Sequence, residues 1–218
     1  TDANNCSTSS VLTITEPTSV VMTANATNAL CNGANGSLTF SANGGTGTIS
    51  YTVNGTAQTS PFATAAGTYT VVATDANNCS TSSVLTITEP TAIVFNTSVN
   101  NALCNGLNGS LTFSATGGTG SINYTVNGSA QTSPFSAPAG SYTVVATDAN
   151  NCTVSTVMLI TQPNTLVLSS NASNALCNGA NGSITYSASG GTGSINYTGT
   201  AGQTLTIQFS SDSSLVYS

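Results

Sequence analysis

Apolar and polar residues alternate along this chain with a period of two. Leu38 and Phe40 fall on one side of a pleat with Thr39 and Ser41 on the other. Ile49, Tyr51 and Val53 repeat the pattern, as do Tyr69, Val71 and Ala73, then Leu85 and Ile87. Half-buried antiparallel strands carry this alternation, because successive side chains point to opposite faces of a sheet. Helical periodicity is absent. Turn signals stand between the alternating runs: Asn32–Gly33, Asn35–Gly36, Asn54–Gly55 and Gly44-Gly45-Thr46-Gly47. Such sequences accept φ > 0 and close hairpins. Roughly six or seven short strands in one such stretch, broken by turns, predict an all-β, immunoglobulin-like sandwich.

The pattern then starts again. Thr-Asp-Ala-Asn-Asn-Cys opens at Thr1, Thr74 and Thr147, and Asn-Ala-Leu-Cys-Asn-Gly carries Cys31, Cys104 and Cys177, a spacing of 73 residues. Residues 1–18 and 74–91 are identical. A period of this length is one small domain rather than one coil of a solenoid. With each repeat closing on Glu–Pro or Gln–Pro, the expected layout is residues 1–17 as the last strand of a preceding or neighbouring repeat, full repeats at 18–90 and 91–163, and an incomplete one at 164–218. The third repeat matches its predecessors through Tyr197. Beyond it Leu215 and Tyr217 fall where Tyr142 and Val144 stand, which predicts a next-to-last strand there and leaves the last one out. Two readings fit: a window of a longer tandem array, or a discrete subunit completed by donor-strand exchange. In the second, Val11, Leu12 and Ile14 form the assembly strand that adds to a neighbour's open sheet.

Charge narrows the partners. The chain has no Lys, Arg or His and six acidic residues, Asp2, Glu16, Asp75, Glu89, Asp148 and Asp212. Nucleic-acid binding needs cations to replace phosphate counterions, and attraction to anionic lipid needs them too, so both are excluded. No apolar run approaches the roughly 20 residues of a spanning helix, so this segment is not expected to insert in a membrane. Catalysis is equally unsupported. A serine nucleophile lacks a His or Lys base, and Asp75 and Glu89, the acids of one full repeat, stand 14 residues apart. No catalytic residue and no cofactor is expected. The strongest metal reading is weak: Asp75 and Asp148, each followed by asparagines, offer hard oxygens to calcium, though a single carboxylate per loop is more often a turn-former.

The cysteines Cys6, Cys31, Cys79, Cys104, Cys152 and Cys177, without CxxC spacing or histidine, read as disulfides and therefore as an oxidising, extracellular setting. A repeat this small buries only about 60% of its unfolded surface and gains from a staple. Cys31 stands between the first two strands and Cys79 between the last two, at opposite ends of a sandwich, which favours Cys31 with Cys152 of the following repeat. General experience favours the bond within a repeat, Cys31 with Cys79. Both stay open at this point.

Cys-Asn-Gly-Ala-Asn-Gly-Ser (31–37), Gly-Gly-Thr-Gly (44–47), Ala-Gly-Thr-Tyr-Thr-Val (66–71), Thr-Asp-Ala-Asn-Asn-Cys (74–79) and Ile-Thr-Glu-Pro (87–90) occur in that order. This set resembles the SprB-type repeat of giant surface adhesins in gliding Bacteroidetes, with Val53 and Val126 in the region where many members carry Trp. The resemblance implies a cell-surface filament exported by the type IX route and used in gliding. The expected function is thus non-enzymatic: the structural shaft of an extracellular adhesive filament. Its partners would be neighbouring repeats or identical subunits end to end, and polysaccharide or an abiotic surface. The alternative is a carbohydrate-binding or spacer module of a secreted multidomain protein, which would require exposed coplanar aromatics.

Overall fold

A computed structural model describes residues 1–199 and 207–210, with side chains up to Tyr197. Two compact units divide the chain, the first ending at Ala92 and the second beginning at Ile93. The first unit holds β1 (Val21–Thr27), β2 (Gly36–Asn43), β3 (Ser50–Val53), β4 (Thr56–Ala57), β5 (Phe62–Thr64), β6 (Gly67–Thr74) and β7 (Ser80–Ile87). They form two antiparallel sheets, ordered β1-β2-β5 and β4-β3-β6-β7. The second unit repeats the plan with β8 (Val94–Asn100), β9 (Gly109–Thr116), β10 (Asn123–Val126), β11 (Ser129–Ala130), β12 (Phe135–Ala137), β13 (Gly140–Thr147) and β14 (Thr153–Ile160), in the sheets β12-β9-β8 and β11-β10-β13-β14. This is the immunoglobulin-like sandwich that the alternation predicts.

The alternating residues build the core. Leu38 and Phe40 of β2 meet Val53 of β3, Val71 of β6 and Ile87 of β7, and Leu38 and Val71 are fully buried. Leu111, Phe113, Val126, Val144, Met158 and Ile160 do the same in the second unit. Each fully buried aliphatic side chain contributes about 1.5–3 kcal/mol relative to exposure, so a handful of residues per repeat carries the sandwich. Phe40 leans on Tyr51 with ring centroids 5.2 Å apart, and the Tyr51 hydroxyl accepts the Ala42 N–H at 2.8 Å.

Two turn assignments change. Asn54–Gly55 makes the expected tight hairpin between β3 and β4, with both residues at positive φ (48° and 81°). Asn35–Gly36, in contrast, is no turn: Gly36 opens β2, where an added Cβ would strike the Thr27 carbonyl and lie 2.6 Å from Ile87 Cγ2. The glycine is there for close approach, which local dipeptide statistics do not see. Gly44-Gly45-Thr46-Gly47 is likewise not a hairpin. It carries the chain from β2 in one sheet to β3 in the other.

The second unit continues into the third repeat, where β15 (Asn164–Ser173) pairs with β16 (Ser183–Gly191) and β17 (Asn196–Gly199) with β18 (Ile207–Ser210). Here Ile184 and Tyr186, which stand where Leu38 and Phe40 stand in the first repeat, are each 46% exposed. The strand expected around Leu215 and Tyr217 lies outside the described residues. Residues 7–14 form no strand, and Val11, Leu12 and Ile14 are 94%, 87% and 98% exposed.

Candidate functional site

Each complete repeat concentrates its polar side-chain chemistry at two poles, one at either end of the sandwich. At the first pole β6 ends and the loop to β7 begins with Asp75. Its Oδ1 accepts the N–H groups of Asn77 (2.9 Å) and Cys79 (2.8 Å), and its Oδ2 accepts that of Thr46 (2.7 Å) from the glycine-rich crossover. Gly45 sits at φ 64°, where an added Cβ would meet Asp75 Oδ2 at 2.8 Å. Asp148 repeats the arrangement with Asn150, Cys152 and Thr119.

The hydrogen bond from Thr46 is foremost in holding the Asp75 carboxyl below its ordinary range; burial opposes it, and the bonds from Cys79 and Asn77 add to the lowering. At Asp148 burial is the largest single influence and pushes upward, yet the N–H groups of Thr119, Cys152 and Asn150 together bring the value down. A carboxylate that accepts several N–H bonds favours its charged form. These acids are surrounded by donors rather than by the oxygens a calcium ion needs, which gives Asp75 and Asp148 the turn-forming role. Among the described residues no group of three or more His, Cys, Asp or Glu could hold a metal.

The second pole lies at the other end of β7. Thr88 donates its N–H to Asn28 Oδ1 (2.9 Å), and its carbonyl accepts from Ala29 N (3.0 Å). Glu89 Oε2 accepts from Gly33 N (2.6 Å), and the Pro90 carbonyl accepts from Asn32 Nδ2 (3.1 Å). Gln162 and Pro163 are tied to Gly106 and Asn105 in the same way. The proline that closes each repeat stiffens its exit by fixing φ. The hydrogen bonds add a clamp on the acidic or amide residue before it, and the recurrence of Asn-Gly 56 residues upstream was the available signal. A further missed residue is Tyr69, whose hydroxyl donates to the Ala65 carbonyl at 2.9 Å, the tyrosine corner of immunoglobulin-like domains. Tyr142 does so to Pro138.

The poles also sort the cysteines. Cys31 belongs to the pole of Thr88 and Glu89, Cys79 to the pole of Asp75, and the eight residues of β7 lie between them. That strand spans about 27 Å, whereas bonded cysteines have Cα atoms within about 7 Å. Cys31 and Cys152 are each half-cystines, while Cys6, Cys79, Cys104 and Cys177 carry exposed free thiols. The pairing of Cys31 with Cys79 is therefore corrected by the geometry of the repeat itself.

Between the poles, the outer face of the four-stranded sheet is uncharged. Thr68 stands opposite Thr86, Thr70 opposite Val84, and Val72 between Thr52 and Ser82. The aromatics Phe40, Tyr51, Phe62 and Tyr69 pack into or against the core instead, so the first repeat offers no aromatic platform for a sugar ring. One surface hollow of the first repeat is lined by Thr23, Asn25, Thr39, Phe40, Ser41 and Ser60, none of them titratable. No helix among the described residues is long and apolar enough to cross a membrane.

A tandem of sparsely charged β-sandwiches whose polar side chains mainly serve their own loops defines a structural repeat protein. The particular repeat is the SprB repeat: its family model matches three times, at residues 23–58, 96–131 and 169–204, so the chain is built of SprB repeats. These are structural repeats of cell-surface, adhesin-type proteins, and the chain belongs with that class. No curated protein matches it.

Proposed function

We propose that this chain is part of the shaft of an extracellular adhesive filament, without enzymatic activity, in which repeats supply length and mechanical resistance. The observation that carries this reading is the use made of the buried polar groups. Asp75 and Asp148 are the buried charged residues of the described part, and each is consumed by backbone donors of its own repeat. Gliding and type IX export follow from the family resemblance, and polysaccharide or an abiotic surface is the partner suited to the hydroxyl-rich sheet face.

The second element of the proposal is a bond of Cys31 with Cys152, joining the exit pole of one repeat to the entry pole of the next. Two observations support it: both residues are half-cystines, and the clamped exit at Pro90 is followed closely by β8 at Val94. Such a bond would withhold the 120 residues between Cys31 and Cys152 from extension under load. Single-molecule pulling tests both points. Reduction is expected to lengthen the fully unfolded chain by roughly 400 Å, at about 3.3–3.6 Å per residue. Equal contour lengths before and after reduction would exclude the bond. A glycan array then separates shaft from lectin: selective, saturable binding of one soluble oligosaccharide would turn the assignment to a carbohydrate-binding module.

A further inference from the structure

The first and last strands of a complete repeat run the same way. β1 starts at the pole of Asp75, where Gly45 donates its N–H to the Thr18 carbonyl (2.8 Å), and it ends at the other pole beside Asn28 and Ala29. β7 likewise leaves the Asp75 loop and ends at Thr88. The two strands lie side by side at the seam of the sandwich, in different sheets. Tension along the chain pulls β1 by its beginning and β7 by its end, so it draws the neighbours in opposite directions along their own axes.

One junction stands between the two points of pull: the loop of residues 28–33 against residues 88–90. Ala29 N donates to the Thr88 carbonyl (3.0 Å) and Thr88 N to Asn28 Oδ1 (2.9 Å). Gly33 N donates to Glu89 Oε2 (2.6 Å) and Asn32 Nδ2 to the Pro90 carbonyl (3.1 Å). Next to these bonds Ile87, 1% exposed, is seated so close to Gly36 that a Cβ there would lie 2.6 Å from its Cγ2. The end of β7 cannot slide outward until that side chain leaves the core. The second repeat keeps the whole set, with Asn101, Ala102, Asn105 and Gly106 facing Thr161, Gln162 and Pro163, and Ile160 seated against Gly109.

We infer that this junction is the force-bearing clamp of the repeat. Load entering at Thr18 runs down β1, crosses from residues 28–33 to residues 88–90 and leaves at Pro90; the other strands are loaded in full only once the clamp opens. Bonds between neighbouring strands lie across the strand axis, so a pull along that axis loads them together rather than one after another. The inference rests on the shaft reading of the chain, because only a protein under tension uses such a path. Asn54 supplies the contrast. Its Oδ1 accepts the Thr70 N–H at 2.8 Å, a bond as short as those of the clamp, but it joins the β3–β4 turn to β6, away from both pulled strands.

The test is constant-force pulling of the full chain by its ends under reducing conditions, so that no cystine shares the load, paired with urea unfolding of the same variants. Asn28→Ala/Asn101→Ala removes one bond from each clamp. Glu89→Ala/Gln162→Ala removes another at exposed side chains that the core does not need. Either pair is expected to shorten the dwell time of the folded repeats under load roughly two- to tenfold, the effect of one hydrogen bond on a barrier, and the Glu89 pair should do so with its urea midpoint nearly unmoved. Asn54→Ala/Asn127→Ala removes the bond to Thr70 or Thr143 and puts alanine at positive φ. It should lower the urea midpoint at least as far and leave the dwell time at the parent value. Dwell times that follow the urea midpoints across all three pairs, or clamp pairs that dwell as long as the parent, would overturn the clamp and leave the shaft standing. Selective binding of one oligosaccharide would instead end the shaft reading and leave this ranking intact.

Discussion

Asp75 accepts N–H bonds from Thr46, Asn77 and Cys79, and these bonds tie the stability of the repeat to its ionised form. Its folded-state pKa is lowered, as is that of Asp148. Stability from a lowered carboxyl is fully present above the unfolded value near 3.8 and is lost as pH falls through the folded value. Thermal unfolding should thus be level from about pH 7 to 5 and decline below about pH 4. The double variant Asp75→Asn/Asp148→Asn should start from a lower midpoint and show a shallower acid decline. An unchanged acid slope in that variant would assign the effect to other carboxyls. Gly36 makes a second prediction at this scale. Gly36→Ala forces a Cβ against Ile87 and the Thr27 carbonyl, and overpacking of this kind costs about 1–3 kcal/mol, readable as a lower urea midpoint.

At the scale of the element, β7 is the strand that closes each repeat. It pairs with β6 along its whole length, inserts Ile87 into the core and ends in the Thr88–Pro90 clamp. Ile87→Ala should cost about 2–5 kcal/mol, and the loss should register in denaturant unfolding of the first unit. The clamp is gentler. Gln162 fills the role of Glu89 in the second repeat, so Glu89→Gln should leave stability nearly unchanged, while Glu89→Ala should lose under about 1 kcal/mol for one exposed hydrogen bond. These strands were legible from alternation because Leu38, Phe40, Val71 and Ile87 obey the period-two rule and are buried accordingly. The glycines were harder. Gly36 and Gly55 both follow Asn, yet one turns the chain and the other makes room for Ile87. That difference depends on a residue 51 positions away, which no local pattern contains. The Glu89 clamp was hidden for the same reason, with its partner Gly33 at a separation of 56.

For the whole molecule, repetition itself carries information that a single domain lacks. The period marked the repeats before any strand was placed, and the family resemblance drawn from the phrase set agrees with the three SprB matches. Cysteine pairing was not readable from spacing, since every cysteine recurs with the same period. The poles of one repeat were needed to set Cys31 and Cys79 apart.

The outer sheet face, with Thr68, Thr70, Val84 and Thr86 and no ionised group, has a consequence for where such a surface works. Attraction between charges is screened beyond about 8 Å at the ionic strength of blood and within about 3 Å in strong brine. Hydroxyl and methyl contacts have no such dependence. The adhesive contact proposed above, if made through such a face, would hold as well in seawater as in rain, and rinsing with salt would not release it.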